Sequence, residues 1–155
     1  MSYRISGLSR QPFEHLIGAS EAVLTAHGAV RVTAGSDKGW PCRVSLCDAK
    51  AGESLILLNH ISHDVATPYR SAYAIYVCED AKEPAEYLDQ TPPVFAGRPI
   101  ALRAFDADGM LRDAALALPG EADARIRALF DTDEIAYIHA HNAAHGCFSA
   151  KVERN

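Results

Sequence analysis

The chain has little of what usually betrays a large enzyme class. No Gly-rich phosphate loop, dinucleotide fingerprint, Gly-x-Ser-x-Gly elbow or His-Glu-x-x-His occurs in its 155 residues. Nucleotide cofactors and the common serine and zinc hydrolase frameworks therefore have no motif to stand on. The apolar runs, such as Ser54-Leu55-Ile56-Leu57-Leu58, are strand length and fall far below the roughly 18 residues of a membrane span. Met1 to Gly7 has no charged region followed by an apolar core, so no signal peptide is expected. No basic run is present either: 15 Lys and Arg are scattered along a chain of net charge -5, which argues against nucleic acid as a partner. The four cysteines, Cys42, Cys47, Cys78 and Cys147, form no Cys-x-x-Cys pair, and reduced thiols in a cytoplasm are expected.

What is present suits one globular domain over residues 1–155. Apolar residues make up 48% and charged residues 23%, an ordinary balance. A chain this long buries roughly two-thirds of its unfolded surface and needs no metal or disulfide to fold. Strands are expected at Tyr3–Ser6, Ala29–Thr33, Ser54–Asn59, Ala72–Cys78, Ile100–Phe105, Met110–Leu118, Ile135–His141 and Cys147–Val152. Ser9–Gly28 reads as helical in two pieces, with Ser20 as N-cap and Gly28 at the C-terminus. Ser45 can cap a helical turn over Leu46–Ala51, and Glu121–Phe130 is the clearest helix. His60–Arg70 reads as a polar connection, and Glu79–Pro93, with three prolines, as surface loop with room for one helical turn. Most connections are too short for a helical crossover. That predicts an α+β fold with a mainly antiparallel sheet packed against two to three helices. The passage from Met110–Leu118 through the helix to Ile135–His141 could instead set two strands parallel.

Candidate chemistry concentrates at Tyr137-Ile138-His139-Ala140-His141-Asn142-Ala143-Ala144-His145-Gly146-Cys147. On a strand, Tyr137, His139 and His141 share one face, with the two imidazoles about 6–7 Å apart. That spacing suits two ligands on one transition metal, the only cofactor this chain suggests. A third ligand would have to come from His145, His60, His63, Cys42, Cys147 or Asp106. The strand His-x-His is best known from the cupins, but those place a Glu a few residues later, and none stands here. The plain alternative is one hydrogen-bonded structural His and one at a sheet edge. Cys147 follows Gly146 close to three histidines, so Cys-His nucleophilic catalysis with Asn142 orienting the imidazole is conceivable. The alternative is a small buried residue opening the last strand.

Arg43 and Arg70 each follow a Pro-anchored stretch, Pro41-Cys42-Arg43 and Pro68-Tyr69-Arg70. Rigid loops could aim both guanidiniums at one carboxylate or phosphate, with Tyr69 supplying a ring or hydroxyl. Otherwise each pairs with a nearby carboxylate such as Asp48, Glu53 or Asp64. Asp106 and Asp108 flank Gly109 and read as turn formers rather than paired catalytic carboxylates.

Taken together, Pro41-Cys42-Arg43-Val44-Ser45-Leu46, Gly52-Glu53, Leu57-Leu58-Asn59, Thr67-Pro68-Tyr69-Arg70, Arg103 to Met110, Tyr137 to Asn142 and Gly146-Cys147-Phe148 resemble a small bacterial family known as domain of unknown function 1203. The likeness runs over nearly the whole chain and rests on the order and spacing of these pieces. It departs at Tyr73-Ala74, where a Gly-Pro pair is more usual, and at Trp40, where a Tyr is. Cys47, Cys78, His63 and His145 do not look like family positions. The resemblance implies that Cys42, Arg43, Asn59, Tyr69, Arg70, His139, His141, Asn142 and Cys147 act together. It implies no activity.

The leading expectation is a pocket for a small anionic metabolite, built from Arg43, Asn59, Tyr69, Arg70 and Asn142, with His139, His141 or Cys147 carrying any chemistry. The alternatives are a metal-dependent enzyme using His139 and His141, and a non-catalytic interaction protein, homodimeric through an exposed strand edge.

Overall fold

Nine strands arranged as two antiparallel sheets carry the architecture, and the computed structural model describes residues 1–155. The larger sheet runs β5 (Glu86–Leu88), β1 (Tyr3–Ser6), β9 (Phe148–Arg154), β8 (Tyr137–Asn142), β6 (Ile100–Phe105) and β7 (Leu111–Ala117). The smaller is β2 (Val30–Thr33), β3 (Ser54–His63) and β4 (Ser71–Cys78). Two helices complete it, α1 (Glu21–Ala26) and α2 (Ala122–Phe130). The molecule is thus predominantly β, with less helix than the expected α+β balance. No helix is long and apolar enough to cross a membrane.

The larger sheet is two-faced because its strands alternate. Ile100, Leu102, Ala104, Ile138, Ala140, Ala150 and Val152 share one face and form a core with Ala122, Ile126, Leu129 and Phe130 of α2. Full burial of a side chain such as Ile126 stabilises by roughly 1.5–3 kcal/mol, which is what ties this helix to the sheet. The second core gathers Leu55, Ile56, Leu58, Ile75 and Val77 of the smaller sheet with Phe13, Leu16 and Leu24. Ser20 caps α1, its hydroxyl accepting from the Val23 amide, and Gly28 takes the left-handed backbone at φ 67° after the helix.

β7 and β8 do run parallel in direction, since both pair antiparallel with β6, but β6 stands between them. Three local expectations differ. β3 continues four residues past Asn59, because Asn59 to His63 find partners on Ala74 to Ser71 of β4. Polar side chains made that stretch look like a connection, yet backbone pairing sets its conformation. Glu86–Leu88 is a strand, drawn onto the free edge of β1. The same loop closes with a short 3-10 turn at Pro93–Phe95, the single helical turn the segment had room for. No helix forms over Leu46–Ala51. The Ser45 hydroxyl accepts from the Cys47 amide, Leu46 adopts φ 53°, and Pro41 bridges back to Asp48. That local bond bends the chain where a cap was expected.

Candidate functional site

Arg43 is fixed before its side chain is considered. Its amide donates to the Tyr76 carbonyl at 2.9 Å, and its carbonyl accepts from the Leu8 amide at 2.8 Å. The side chain is buried, 1% exposed, and no carboxylate lies within ion-pairing distance. Its only polar partners are the Cys147 sulfur, 3.2 Å from Nη2, and the Ser149 hydroxyl, 3.4 Å from Nη1. Nε has no partner. Burial lowers the guanidinium's pKa, and the nearby Cys147 sulfur acts in the opposite direction.

Arg43 lines a cavity of about 460 Å³, within the usual size of small-molecule sites. Four pieces of chain enclose it: Gly39 to Arg43, the Tyr73–Tyr76 part of β4 with Leu57 beside it, Gly97 to Pro99, and the β8–β9 turn with Asn142, Ala144, His145 and Cys147. Two backbone bonds close that turn, Gly146 to Asn142 at 2.7 Å and Asn142 to Cys147 at 3.0 Å. Gly146 sits at φ 78°, which L side chains rarely adopt. Arg98 also reaches the cavity, but both its Nη atoms bind Asp48, at 2.9 and 2.7 Å. Arg43 is therefore the only guanidinium of the lining left without a carboxylate.

Of the residues singled out in the sequence, the structure brings Arg43, Asn142 and Cys147 to this cavity, together with His145. The others lie elsewhere. Arg70 is exposed and pairs with Asp64 at 3.0 Å, the local alternative recognised above. Tyr69 contributes its carbonyl to His63 and sets its ring 6.2 Å from Phe105. Asn59 is exposed on β3, beside His60, in a shallow groove that also includes His15 and His27. Cys42 points into the second core, where its sulfur accepts from the Cys78 amide at 3.2 Å and the Ser45 amide at 3.5 Å. All four cysteines are free.

His139 and His141 do share a face of β8 with Tyr137, as the alternation predicts. They form a buried layer between the sheets rather than part of the cavity wall. His139 stands opposite Arg103 of β6, 4.9 Å from the ring of His63 and 5.1 Å from Phe148. His141 meets Tyr73 at 5.0 Å, and its Nδ1 donates to the Gly146 carbonyl at 3.0 Å, bracing the turn that carries Cys147. Burial pushes His139 down to about 3, helped by His63, His141, Lys151 and Arg103. Burial likewise pushes His141 to about 4, against the Gly146 bond. Rings held neutral so firmly are poor proton carriers at neutral pH. Their centroids are 6.4 Å apart, and no group of three or more His, Cys, Asp or Glu is placed to hold a metal ion. Asp106 is the turn former expected: its carboxylate accepts from the Asp108 and Met110 amides and from Arg112.

Tyr73, Tyr76 and Arg98 are the cavity residues with polar side chains that the sequence did not single out as site residues. Arg98-Pro99 carries the Pro-adjacent arginine signal that marked Arg43 and Arg70. The two tyrosines sat in a strand whose length was recognisable but whose neighbour was not.

No curated protein and no solved structure matches the chain. A family model matches residues 39–154, which include every wall of the cavity and all the residues of the buried histidine layer. By that match, the chain belongs to the family described as "Protein of unknown function (DUF1203)".

Proposed function

We propose that the cavity binds a small anionic molecule, with Arg43 as its anchor. One observation carries this: a buried guanidinium beside an open cavity with no carboxylate to neutralise it. Burying a charge is costly unless it is paired and hydrogen-bonded. Arg43 has a hydroxyl, a sulfur and an idle Nε, which leaves room for an anion to complete its set. The walls suit an organic body rather than a bare ion. Leu57, Ile75, Pro41 and Pro99 supply apolar surface, and Asn142 and the two tyrosines supply polar groups. Arg70 and Tyr69 have no part in this site.

The test is a thermal-shift screen of small carboxylates and phosphates on the wild-type protein and an Arg43→Met variant. A ligand at about a hundred times its Kd should raise the wild-type Tm by roughly 5–10 °C and leave the variant unmoved. If no anion stabilises the wild type, or if both proteins respond alike, the proposal fails.

A further inference from the structure

We propose that Cys147 is a covalent attachment point for a carboxylate-bearing electrophile seated on Arg43, an inference that rests on the anion-binding reading of the cavity. The sulfur lies 3.2 Å from Nη2 of Arg43, and both residues line the cavity. Cys147 is partly exposed, whereas Cys42 and Cys78 are buried in the second core. The sulfur's place is fixed by the closed turn from Asn142 and by the His141 bond to the Gly146 carbonyl.

Charge selects the class of ligand. Arg98 is neutralised by Asp48, so the cavity offers one uncompensated positive charge. One planar guanidinium fork matches a planar monoanion, a carboxylate, better than a phosphate dianion. Distance selects the electrophile. A carboxylate bound on Arg43 puts the carbon one or two bonds away against the sulfur next to that same guanidinium. The fitting substrates are therefore α,β-unsaturated or α-substituted carboxylic acids.

The step balances without a further reagent. With an unsaturated acid, the Cys147 sulfur bonds to the β-carbon and the π pair moves to the α-carbon. The α-carbon then takes up the proton the thiol gave up, so the net reaction is addition. With iodoacetate, used as the probe, the S–C bond forms, the C–I bond breaks and iodide leaves with the electron pair. The thiol proton goes to solvent.

The experiment compares alkylation by iodoacetate with alkylation by neutral iodoacetamide on the wild-type protein, read at each cysteine by peptide mass spectrometry. Cys47, which is also partly exposed, and free glutathione serve as reference thiols. The iodoacetate-to-iodoacetamide rate ratio at Cys147 should exceed the reference ratios by roughly tenfold or more, the factor one charge-assisted hydrogen bond supplies. Acetate and larger monocarboxylates should suppress it, and neutral amides should not. A ratio at Cys147 no higher than at Cys47 overturns covalent attachment; the anion site then still stands wherever carboxylates raise the Tm through Arg43. If no carboxylate raises the Tm, the anion site itself falls, and the covalent proposal with it.

Discussion

His63 on β3 and Tyr137 on β8 are joined by a hydrogen bond of 2.7 Å, Nε2 to hydroxyl, across the gap between the two sheets. Nδ1 of the same ring donates to the Tyr69 carbonyl at 2.9 Å, so in the neutral ring Nε2 accepts and the tyrosine donates. Both ends are tied: the tyrosine ring stacks on Phe105 at 5.5 Å. Tyr137→Phe keeps the ring and removes the donor, leaving Nε2 of a buried histidine unpaired. Urea denaturation of this variant should show a loss of roughly 1–3 kcal/mol. An unchanged midpoint would mean the bond contributes nothing net.

Acid should unfold the protein through the histidine layer. His139 and His141 titrate near 3 and 4 in the folded chain, both below the ordinary 6.5. Their folded pKa values are depressed, so between pH 6.5 and about 4 the unfolded chain binds protons that the folded rings refuse. The stability is therefore full above pH 6.5 and is lost as pH falls, by up to roughly 1.4 kcal/mol per pH unit for each ring. Between pH 7 and 5 the loss should be roughly 2–4 kcal/mol, measured as a urea midpoint at each pH. His139→Leu should remove about half of the slope. A midpoint that does not move between pH 7 and 5 would show that the layer is not protected as its burial implies.

Glu79 gives a second acid response, in a lower window. Its carboxylate accepts from Arg31 at 3.0 Å through both Nε and Nη2, from the Gly18 amide at 2.8 Å, and from the Ser54 hydroxyl. The Arg31 hydrogen bond is the largest cause that lowers it to about 2 from 4.5. Its contribution is present above pH 4.5 and is lost as pH falls toward 2. Glu79→Gln should cost roughly 1–3 kcal/mol at pH 7 and flatten the pH dependence below 4.5, which calorimetry at pH 3, 4 and 5 would resolve.

Arg43→Met should separate stability from binding. The change removes a buried charge and keeps a flexible side chain of comparable length. Replacing buried ionic groups with apolar ones of similar volume is often neutral or stabilising by about 1–4 kcal/mol. The unliganded variant should therefore be as stable as wild type or more so, while losing all stabilisation by carboxylates. A variant much less stable than wild type would instead make Arg43 a structural residue.

Gly7 tests the joint that supports Arg43 from behind. A Cβ there would stand 2.1 Å from the Val44 carbonyl oxygen and 3.2 Å from the Ala85 amide. The neighbouring Leu8 amide holds the Arg43 carbonyl. Gly7→Ala has to push these backbones apart. A loss of roughly 2 kcal/mol or more is expected, with weaker carboxylate binding alongside. Normal stability would show that the joint yields easily.

Much of the fold was legible because it depends on local chemistry. The Ser20 cap, the Gly28 stop, the Asp106 turn and α2 were visible from the residues alone, and so were eight of the nine strands, all but β3 within two positions at each end. Alternation along β8 put His139 and His141 on one face, and that holds in three dimensions. The Pro41-Cys42-Arg43 stretch also pointed to an arginine that the fold places in the cavity wall. Glu86–Leu88 was not legible, since a three-residue edge strand has no periodicity and exists only because β1 offers it an open edge.

The sequence by itself determined which side chains share a strand face, where turns fall, and that an arginine, a cysteine and an asparagine were worth watching. Tertiary structure alone decided which of them meet. Arg43 and Arg70 looked alike in the chain. Folding placed Asp64 beside Arg70 in solvent, and placed Arg43 under a cavity with a sulfur and no carboxylate. The two histidines looked equally suited to binding or proton transfer. Packing of the second sheet over β8 buried them, and burial disfavours the charged imidazole. Pairing partners, burial and the charge left uncompensated at a site depend on residues far apart along the chain, such as Arg43 and Cys147, and only the folded chain brings them together.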